Sequence, residues 1–281
     1  MEQLYNRIAY RTSAMVTRTY STSFSMAVRM LPAEQRRAIY SIYGFVRFAD
    51  EIVDTFLDND QQLLLENFER DLKDAFTHGL SMNPVLHAFA TTVKKYGIPQ
   101  QHIDAFMKSM RTDLRKHDYR SNAETMEYIH GSAEVVGLMC LKIFLDGDEY
   151  SYRRLEQPAM KLGSAFQKVN FLRDLKADKE LLHRSYFPEL TNGPLNEAVK
   201  AGLIADIEAE FREAREGIGQ LPGRTRLAVL VAYHYYLQLL RNIRNKPAET
   251  IMKERIRVSN PRKLILLFKS AVIYKLRLNQ T

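Results

Sequence analysis

Residues 166–178 have the sequence Phe166-Gln-Lys-Val-Asn-Phe-Leu-Arg-Asp-Leu-Lys-Ala-Asp178, in which Asn170, Asp174 and Asp178 recur every four residues. On an α-helix, a step of four residues turns the side chain by only about 40°, so these three groups form one ridge, with Gln167 beside it. Apolar residues occupy most of the remaining helix surface. The pattern therefore predicts a largely buried helix whose acidic ridge faces an internal cavity.

A second acidic ridge lies in Arg47-Phe-Ala-Asp-Glu-Ile-Val-Asp54, where Asp50 and Asp54 are again four residues apart in an apolar helix. Buried carboxylates are destabilising unless a cation or a basic group compensates them, so two facing ridges are expected to share cations. Hard oxygen ligands favour Mg²⁺, with Mn²⁺ as the alternative, and no His/Cys cluster supports zinc. The predicted metal ligands are Asp50, Asp54, Asn170, Asp174 and Asp178.

This donor set also indicates the kind of ligand. Magnesium in proteins keeps several waters and bridges a few carboxylates to substrate phosphates. Arg47 and Arg173 stand beside the two acidic motifs, where a guanidinium can bind diphosphate oxygens in bidentate fashion. Because the other cavity walls are apolar and aromatic, the expected ligand has a charged head and a long hydrocarbon tail.

The composition of the rest of the chain favours helix. Its 281 residues include only 12 Gly and 9 Pro, and 46% of them are hydrophobic, which is enough for a sizeable core. No linker or repeat divides the chain, and no convincing strand pattern occurs, so we predict an all-α bundle with a central cavity in one domain, 1–281. The predicted helices cover 3–20, 32–56, 61–79, 84–95, 100–116, 123–144, 150–179, 196–217, 223–245 and 262–277. Gly131 and Gly137 predict a kink, or close approach by a large group, within 123–144.

Positive charge is concentrated near the end of the chain. The formal net charge is +8, and residues 241–281 alone carry 11 basic and 2 acidic residues, a local charge of +9. Nucleic acid is not expected as a partner, because no recognised binding motif accompanies the charge. Cys140 is the only cysteine and cannot form an internal disulfide, and no targeting segment is recognised in the first twenty residues. The expected location is the cytoplasm.

The predicted last helix is amphipathic. Its apolar face and its basic residues favour peripheral binding to the inner face of an anionic membrane, with simple packing on the bundle as the equally weighted alternative. The apolar face comprises Leu264, Leu267, Phe268, Ala271, Tyr274 and Leu278, and the basic residues are Lys263, Lys269 and Arg277.

Both acidic motifs, in this order and 120 residues apart, resemble those of the squalene/phytoene synthase family, as do Ser21-Thr-Ser-Phe24 and Arg184-Ser-Tyr-Phe-Pro188. The resemblance covers most of residues 10–190 and is strongest to bacterial phytoene synthases. It implies an isoprenoid-synthase-type helical bundle and a prenyltransferase of carotenoid biosynthesis. The implied reaction joins two prenyl diphosphates head to head through a cyclopropylcarbinyl diphosphate.

The resemblance favours two C20 geranylgeranyl diphosphates as substrates and phytoene as product, formed by proton loss without NADPH. The alternative is squalene, dehydrosqualene or hydroxysqualene made from C15 farnesyl diphosphate. Two further alternatives are another isoprenoid enzyme, such as a chain elongator or cyclase, and a non-catalytic assembly protein that keeps the fold. Retention of every acid in both motifs favours an enzyme, and the form of the second motif argues against an elongator or cyclase. The oligomeric state is left open.

The resemblance also assigns site residues. The implied catalytic residues are Asp50, Asp54, Asp174, Asp178, Tyr43, Arg47 and Arg173. The implied substrate-binding residues are Ser21, Phe24, Tyr43, Arg47, Tyr128, Gly137, Gln167, Asn170, Arg173, Arg184, Tyr186 and Tyr236. Phe24, Tyr43 and Tyr236 are expected to offer ring faces to positive charge. The chain departs from the family at Glu134, which occupies a position that commonly holds a small residue.

Simpler interpretations exist for single residues. Phe24 and Tyr43 fit core packing, and Arg173 fits a buried ion pair with a nearby acid. If instead the acids of the ridges mainly repel one another, replacing one of them with Asn is expected to leave the metal-free fold equally or more stable.

Overall fold

The computed structural model describes residues 2–191 and 193–278, with side chains described as far as Leu276. In these residues the chain forms thirteen α-helices. They are α1 Glu2–Tyr20, α2 Thr22–Val28, α3 Ala33–Asp54, α4 Gln61–His78, α5 Pro84–Tyr96, α6 Gln100–Asp113, α7 Asn122–Ile129, α8 Val135–Leu145, α9 Glu149–Glu180, α10 Glu197–Ile218, α11 Gly223–Arg244, α12 Ala248–Ile251 and α13 Asn260–Leu278. A π-helical segment, His130–Glu134, joins α7 to α8, and Pro188–Leu190 form a 3₁₀ turn.

The predicted all-α class is confirmed, since no strand forms in the described ranges and the only β-like pairing is a single bridge between Asp118 and Ser185. Local signals explain several helix ends. The Asn83 side chain accepts from the first backbone N–H groups of α5, Pro84 occupies the first turn, and Gly97 ends the helix in the left-handed conformation. The prediction of one domain over 1–281 stays a prediction.

Some predicted boundaries were wrong. The polar stretch after Tyr20 forms the short helix α2, whose start is capped by the Ser21 hydroxyl accepting from Phe24 N–H at 3.3 Å. The predicted helix 100–116 ends at Asp113, and 123–144 divides at the π-helical segment. Short-range periodicity carries little information about such ends, because tertiary contacts decide where the last turn stops.

Two apolar clusters form the core on either side of the cavity described below. One is built mainly from α9, α10 and α11, and the other mainly from α3, α4, α5 and α6. Side chains of α8 enter both clusters, with Leu141 in the first and Met139 in the second. The cavity therefore lies where the two packed halves of the bundle meet.

The longest helix, α9, is packed closely against α8 and α10. The Ser164 hydroxyl donates to Glu210 at 3.0 Å, while Pro158 lies so near Gly217 that a Cβ there would be 2.3 Å from the proline Cβ. These two pairs make α9 and α10 antiparallel. On the α8 side, Gly137 faces the backbone of Ala159. Only glycine allows the backbones of these helices to approach so closely.

The π-helical segment explains the signal from Gly131. A Cβ on this residue would lie 2.0 Å from Ser109 Oγ and 2.6 Å from the Ala105 carbonyl oxygen, so α6 packs directly onto its backbone. Single-turn π-helical insertions often occur at functional sites. The combined stretch Asn122–Leu145 is long and apolar enough to cross a membrane, but 56% of its apolar window is buried in the bundle. We assign it to the core.

Helix α13 packs on α11 with only part of its predicted apolar face. Leu267, Ala271 and Tyr274 pack against a small cluster of Ala27, Leu227 and Val231. A different stripe is exposed, formed by Leu264, Ile265, Phe268, Val272 and Leu276. The side chains of Arg277 and Leu278, which belong to the predicted tail surface, lie outside the described residues.

Candidate active site

A cavity of about 480 Å³ lies between the two halves of the bundle, a volume typical of small-molecule sites. Eleven of the predicted site residues line it, most of them near one end: Ser21, Phe24, Tyr43, Arg47, Asp50, Tyr128, Gly137, Gln167, Asn170, Arg173 and Tyr236. The other end is apolar, with Leu141, Phe144, Leu155, Ile218 and Leu221 in its wall. The expected division into a charged head region and a hydrocarbon region is therefore present.

The first acidic motif lies on the last turns of α3. Arg47 pairs with Glu51 one turn later and with Asp50 at 3.4 Å. Asp50 borders the cavity, where withdrawal from bulk water and the neighbouring Asp54 raise its pKa to about 7. The Nε of Arg47 is buried and has no hydrogen-bond partner in the described part of the chain. A donor is thus left free at the charged end of the cavity.

The second acidic motif lies on α9 and is held by arginines. Arg173 Nε donates to both carboxylate oxygens of Asp174, at 3.0 and 3.1 Å, and Arg255 Nε pairs with the same carboxylate at 2.7 Å. Arg173 thus lines the cavity and pairs with an acid, while its role in binding diphosphate stays a prediction. Asn170 donates to Gln167 at 3.4 Å and accepts from the Tyr236 hydroxyl at 3.3 Å.

The two motifs are close enough to interact. Burial, Asp174 and Asp54 together raise the pKa of Asp178 to about 7, which places the end of the α3 motif near the end of the α9 motif. Each of these carboxyl groups disfavours the charge of the others. The predicted facing of the two ridges is consistent with this coupling.

Arg184 and Tyr186, predicted to bind substrate, are not among the residues that line the described cavity. Both are buried below it. Arg184 donates to Asp54 at 2.6 Å and lies 3.9 Å from Asp113, whose carboxylate accepts from the Tyr128 hydroxyl at 2.8 Å. Burial raises the pKa of Asp113 to about 8. These residues form a buried polar network that holds the Asp54 carboxylate in position.

Two stacked aromatic pairs flank the charged end of the cavity. Phe24 and Tyr43 stack with centroids 5.1 Å apart, and Phe166 and Tyr236 stack at 3.9 Å. Burial raises the pKa of Tyr43 to about 12, so its hydroxyl remains protonated at neutral pH. These rings present neutral, electron-rich faces near the charged end of the cavity.

Glu134, where the sequence departs from the family pattern, does not line the cavity. It is buried with its carboxylate 2.9 Å from His130 Nδ1. The cavity wall at this level is instead built from Ser132 and Ala133, the preceding residues of the π-helical segment. The Glu134 side chain therefore adds no atoms to the cavity surface.

The donor set fits magnesium only together with a phosphorylated ligand. In the described residues, no three His, Cys, Asp or Glu side chains converge closely enough to hold a metal by themselves. Burial and neighbouring carboxylates raise the pKa of both Asp50 and Asp178 to about 7. Magnesium is usually bound by one or two carboxylates plus substrate phosphates, which matches an incomplete set of protein ligands.

Sequence reasoning missed Arg255, Tyr20 and Asp113. Arg255 lies in the segment between α12 and α13 and borders the cavity, and the Tyr20 ring stacks under the Arg47 guanidinium at 4.4 Å. No periodic pattern marks a loop arginine 81 residues after its partner Asp174. Asp113 lies in the predicted helix 100–116, and no sequence pattern there marks it as buried.

Comparison with known proteins gives a consistent result. A family model described as squalene/phytoene synthase matches residues 17–262. The chain is 29% identical over 282 residues to phytoene synthase 3, chloroplastic, of Zea mays, covering 94% of this chain and 66% of that protein. It is also 29% identical to phytoene synthase 1, chloroplastic, of Solanum lycopersicum, covering 92% and 66%. The chain thus spans just under two thirds of the length of these plant relatives.

Solved structures support the fold. A dehydrosqualene synthase in complex with ligand superposes with a TM-score of 0.84 at 24% identity, covering 97% of this chain and 98% of that one. A squalene synthase, HpnC, from Alicyclobacillus acidocaldarius gives 0.74 at 24% identity, with coverages of 86% and 95%. At this level of identity the likeness establishes the architecture alone.

Proposed function

The chain belongs to the squalene/phytoene synthase family, and we propose that it joins two prenyl diphosphates head to head, with geranylgeranyl diphosphate as substrate and phytoene as product. One observation carries the proposal: Arg47, Asp50, Asn170 and Arg173 lie at one end of a cavity whose other end is hydrocarbon-like. Names of the plant relatives favour phytoene, and those of the structural relatives keep the C15 products as the alternative.

The arginines at the cavity mouth would hold the diphosphate groups. Arg47 keeps a buried, unpartnered Nε, and the exposed Arg255 can exchange Asp174 for a phosphate oxygen. Asp50, Asp54, Asp174 and Asp178 would hold Mg²⁺, with Asn170 as a further oxygen ligand. When bound, the metal would stabilise the negative charge of the departing diphosphate.

The proposed chemistry has two stages. In the first, the C–O bond of one substrate breaks with its electron pair leaving on diphosphate, and the double bond of the second substrate attacks the allylic cation. Loss of a proton gives the cyclopropylcarbinyl diphosphate. In the second, the remaining diphosphate leaves, the carbon skeleton rearranges, and loss of another proton gives the hydrocarbon without a reductant.

The chain's own residues would protect these cations. Apolar walls exclude water, which would otherwise add to a cation and yield an alcohol. The stacked pairs Phe24–Tyr43 and Phe166–Tyr236 offer ring faces to the positive charge. Cys140 also lines the cavity, but burial raises the pKa of its thiol to about 12, so no thiolate competes for the cation.

Product identification tests the proposal. Purified protein is incubated with Mg²⁺ and either the C20 or the C15 diphosphate, with and without NADPH, and the hydrocarbons are identified by mass spectrometry. We expect phytoene from the C20 substrate, independent of NADPH. Strict dependence on NADPH would replace this proposal with a squalene-forming enzyme, and lack of any condensed product would leave the assembly-protein alternative.

We further propose peripheral binding to the inner face of an anionic membrane, through the exposed stripe on α13. Leu264, Phe268 and Leu276 are 64%, 73% and 60% exposed, and the basic side chains of Arg262, Lys269 and Lys275 are exposed beside them. The stripe starts near the charged end of the cavity, because the neighbouring Lys263 donates to Thr22 at 3.2 Å. Such docking would let hydrocarbon tails pass between bilayer and cavity.

Vesicle sedimentation tests the membrane proposal. We expect the protein to sediment with anionic vesicles at low salt, and Phe268→Glu to abolish this. Met82→Glu is the matched control, since Met82 is 81% exposed and lies in the loop between α4 and α5, far from α13 in the sequence. Absence of binding at low salt, or equal loss in both variants, would reject the α13 stripe as the docking surface.

A further inference from the structure

Three helix contacts define two levels along the cavity, one at Gly163 and one at Pro158 and Ala159 of α9. Ala133 packs against Gly163, Gly137 against Ala159, and Pro158 against Gly217. Moving along α9 from Arg173 to Leu155, the wall changes from the charged end to the apolar end. These 18 residues correspond to about 27 Å at 1.5 Å per residue. Depth in the cavity can therefore be measured by residue number on α9.

The length of a prenyl tail can be placed on the same scale. An extended polypeptide advances about 1.2 Å per backbone bond, and an extended hydrocarbon chain has a similar advance per bond. The extended main chain is then about 14 Å long for the C15 tail and about 19 Å long for the C20 tail. If both tails start at Asn170 and run along α9 toward its N-terminus, the C15 tail ends about nine residues before Asn170. The C20 tail ends about thirteen residues before it. The fourth isoprene unit therefore falls between Gln157 and Lys161.

At this depth small residues form much of the cavity wall. Ala159 on α9 packs against Gly137 on α8, and Ala214 and Gly217 line the wall on α10. The larger side chains of Leu155, Phe144 and Leu221 close the wall beyond this level. A C15 tail would leave the space around Ala159 empty, and an empty apolar space loses contacts on every side.

We propose that Ala159, at the level of Gly137 and Gly217, sets the length of the accepted tail and admits the fourth isoprene unit. The inference rests on the proposed function and adds to it the residue that selects the C20 chain length. Leucine at this position would extend three more carbons into the space required by that unit. A C15 tail ends before this level and would be unaffected.

The test compares Ala159→Leu with Gln157→Leu, which adds the same side chain at an exposed position two residues away. Rates of product formation are measured with C20 and with C15 diphosphate separately. Ala159→Leu is expected to lower kcat/KM for C20 about ten- to hundredfold, the range given by overpacking an apolar site, with less than about threefold change for C15. Gln157→Leu should change neither substrate. Ala159→Val repeats the comparison with a smaller side chain, so that a folding defect in the leucine variant does not decide the result.

The outcomes separate the two proposals. Equal losses with both substrates in either Ala159 variant, or a wild-type protein that uses C15 only, would overturn the chain-length inference while condensation stands. A wild-type protein that forms no condensed product from either substrate would overturn the proposed function itself, and the inference with it.

Discussion

Arg184 Nη1 donates a hydrogen bond to Asp54 Oδ1 at 2.6 Å, while its Nη2 donates to the backbone carbonyls of Val53 and Asp113 at 3.0 and 3.1 Å. The Arg184 side chain is only 4% exposed. One guanidinium thus joins the ends of α3 and α6 to the segment after α9. The acidic motif on α3 is held in place by a residue 130 positions later in the chain.

Replacing Arg184 with methionine should strongly destabilise the fold. The change removes the cation that pairs with Asp54 and the donor to the Val53 and Asp113 carbonyls, and loss of one partner of a buried ion pair costs about 3–5 kcal/mol. The measurement is urea unfolding of the metal-free protein. Arg255→Met is the control, because Arg255 is 53% exposed and its pair with Asp174 should contribute less than about 1 kcal/mol. Similar losses in both variants would show that the Arg184 network is not specially stabilising.

The acids of the second motif should differ when each is replaced with asparagine. Asp174 is paired with Arg173 and Arg255, so Asp174→Asn should lower the melting temperature of the metal-free protein. Asp178 has a raised pKa, caused by burial and by Asp174 and Asp54, so Asp178→Asn should leave the melting temperature unchanged or higher. If the acids only repelled one another, every Asp→Asn change in the two motifs would leave the melting temperature unchanged or higher. The ion pairs of Asp174 make that acid an exception.

Both asparagine variants should lose product formation by orders of magnitude if the acids hold Mg²⁺. Turnover is measured per folded molecule, so that instability is not mistaken for loss of chemistry. Intact turnover in Asp178→Asn would contradict the assignment of that residue to the metal.

Inorganic diphosphate should stabilise the protein only when Mg²⁺ is present. Because the described acids do not form a complete metal site, metal and diphosphate should each bind weakly alone and complete the site together. A ligand that binds only the folded state raises the melting temperature, by an amount that grows with the logarithm of its concentration above Kd. Thermal melts with each component and with both provide the measurement, and equal stabilisation by diphosphate with and without Mg²⁺ would argue against a shared site.

Two glycine-to-alanine changes should have opposite effects. Gly131→Ala drives a methyl group into Ser109 and the Ala105 carbonyl and should cost about 1–3 kcal/mol. At Gly202, inside α10, a Cβ meets nothing within 4 Å, and alanine should add about 1 kcal/mol of stability through helix propensity. Chemical denaturation of both variants checks the signs, and a neutral Gly131→Ala would mean that α6 can move away from the π-helical segment.

Stability should fall in acid partly because of His102. Burial lowers its pKa to about 4, with smaller contributions from His130 and Lys142, and its Nε2 lies 3.0 Å from the Tyr152 hydroxyl. The unfolded chain binds this proton near pH 6.5, so stability is lost as the pH falls from 6.5 to about 4. Melting temperatures of wild type and His102→Gln across this range test the effect: the variant should show the shallower decline.

The sequence predicted what depends on local pattern and could not predict what depends on distant partners. The four-residue spacing of Asn170, Asp174 and Asp178 placed them on one helix, and Gly97 marked a helix end, because both signals lie within a few residues. The role of Arg184 required knowing that α3 and α6 end beside it, information absent from its neighbourhood. Arg255 was missed for the same reason.

The predicted membrane face of α13 illustrates a different limit. Periodicity identifies how many apolar residues share a side of a helix, but not which neighbour they meet. Of the predicted apolar face, Leu267 and Tyr274 pack on α2 and α11, whereas Phe268 is exposed and lies at the centre of the exposed stripe. The apolar surface of α13 therefore serves both packing and exposure, and sequence alone cannot divide it.

The π-helical segment His130–Glu134 also sets the rotational phase of everything after it. In an uninterrupted α-helix, nine residues turn the chain through about 900°, which would put Tyr128 and Gly137 on opposite sides. Both line the same cavity, because the wider turn between them absorbs one extra residue. Deleting one residue from this segment would restore a regular α-helical turn and leave the phase of α8 unchanged, whereas inserting one more would rotate α8 by about 100° and turn its lining residues into the surrounding protein. The length of this five-residue stretch therefore decides which residues of α8 face the cavity.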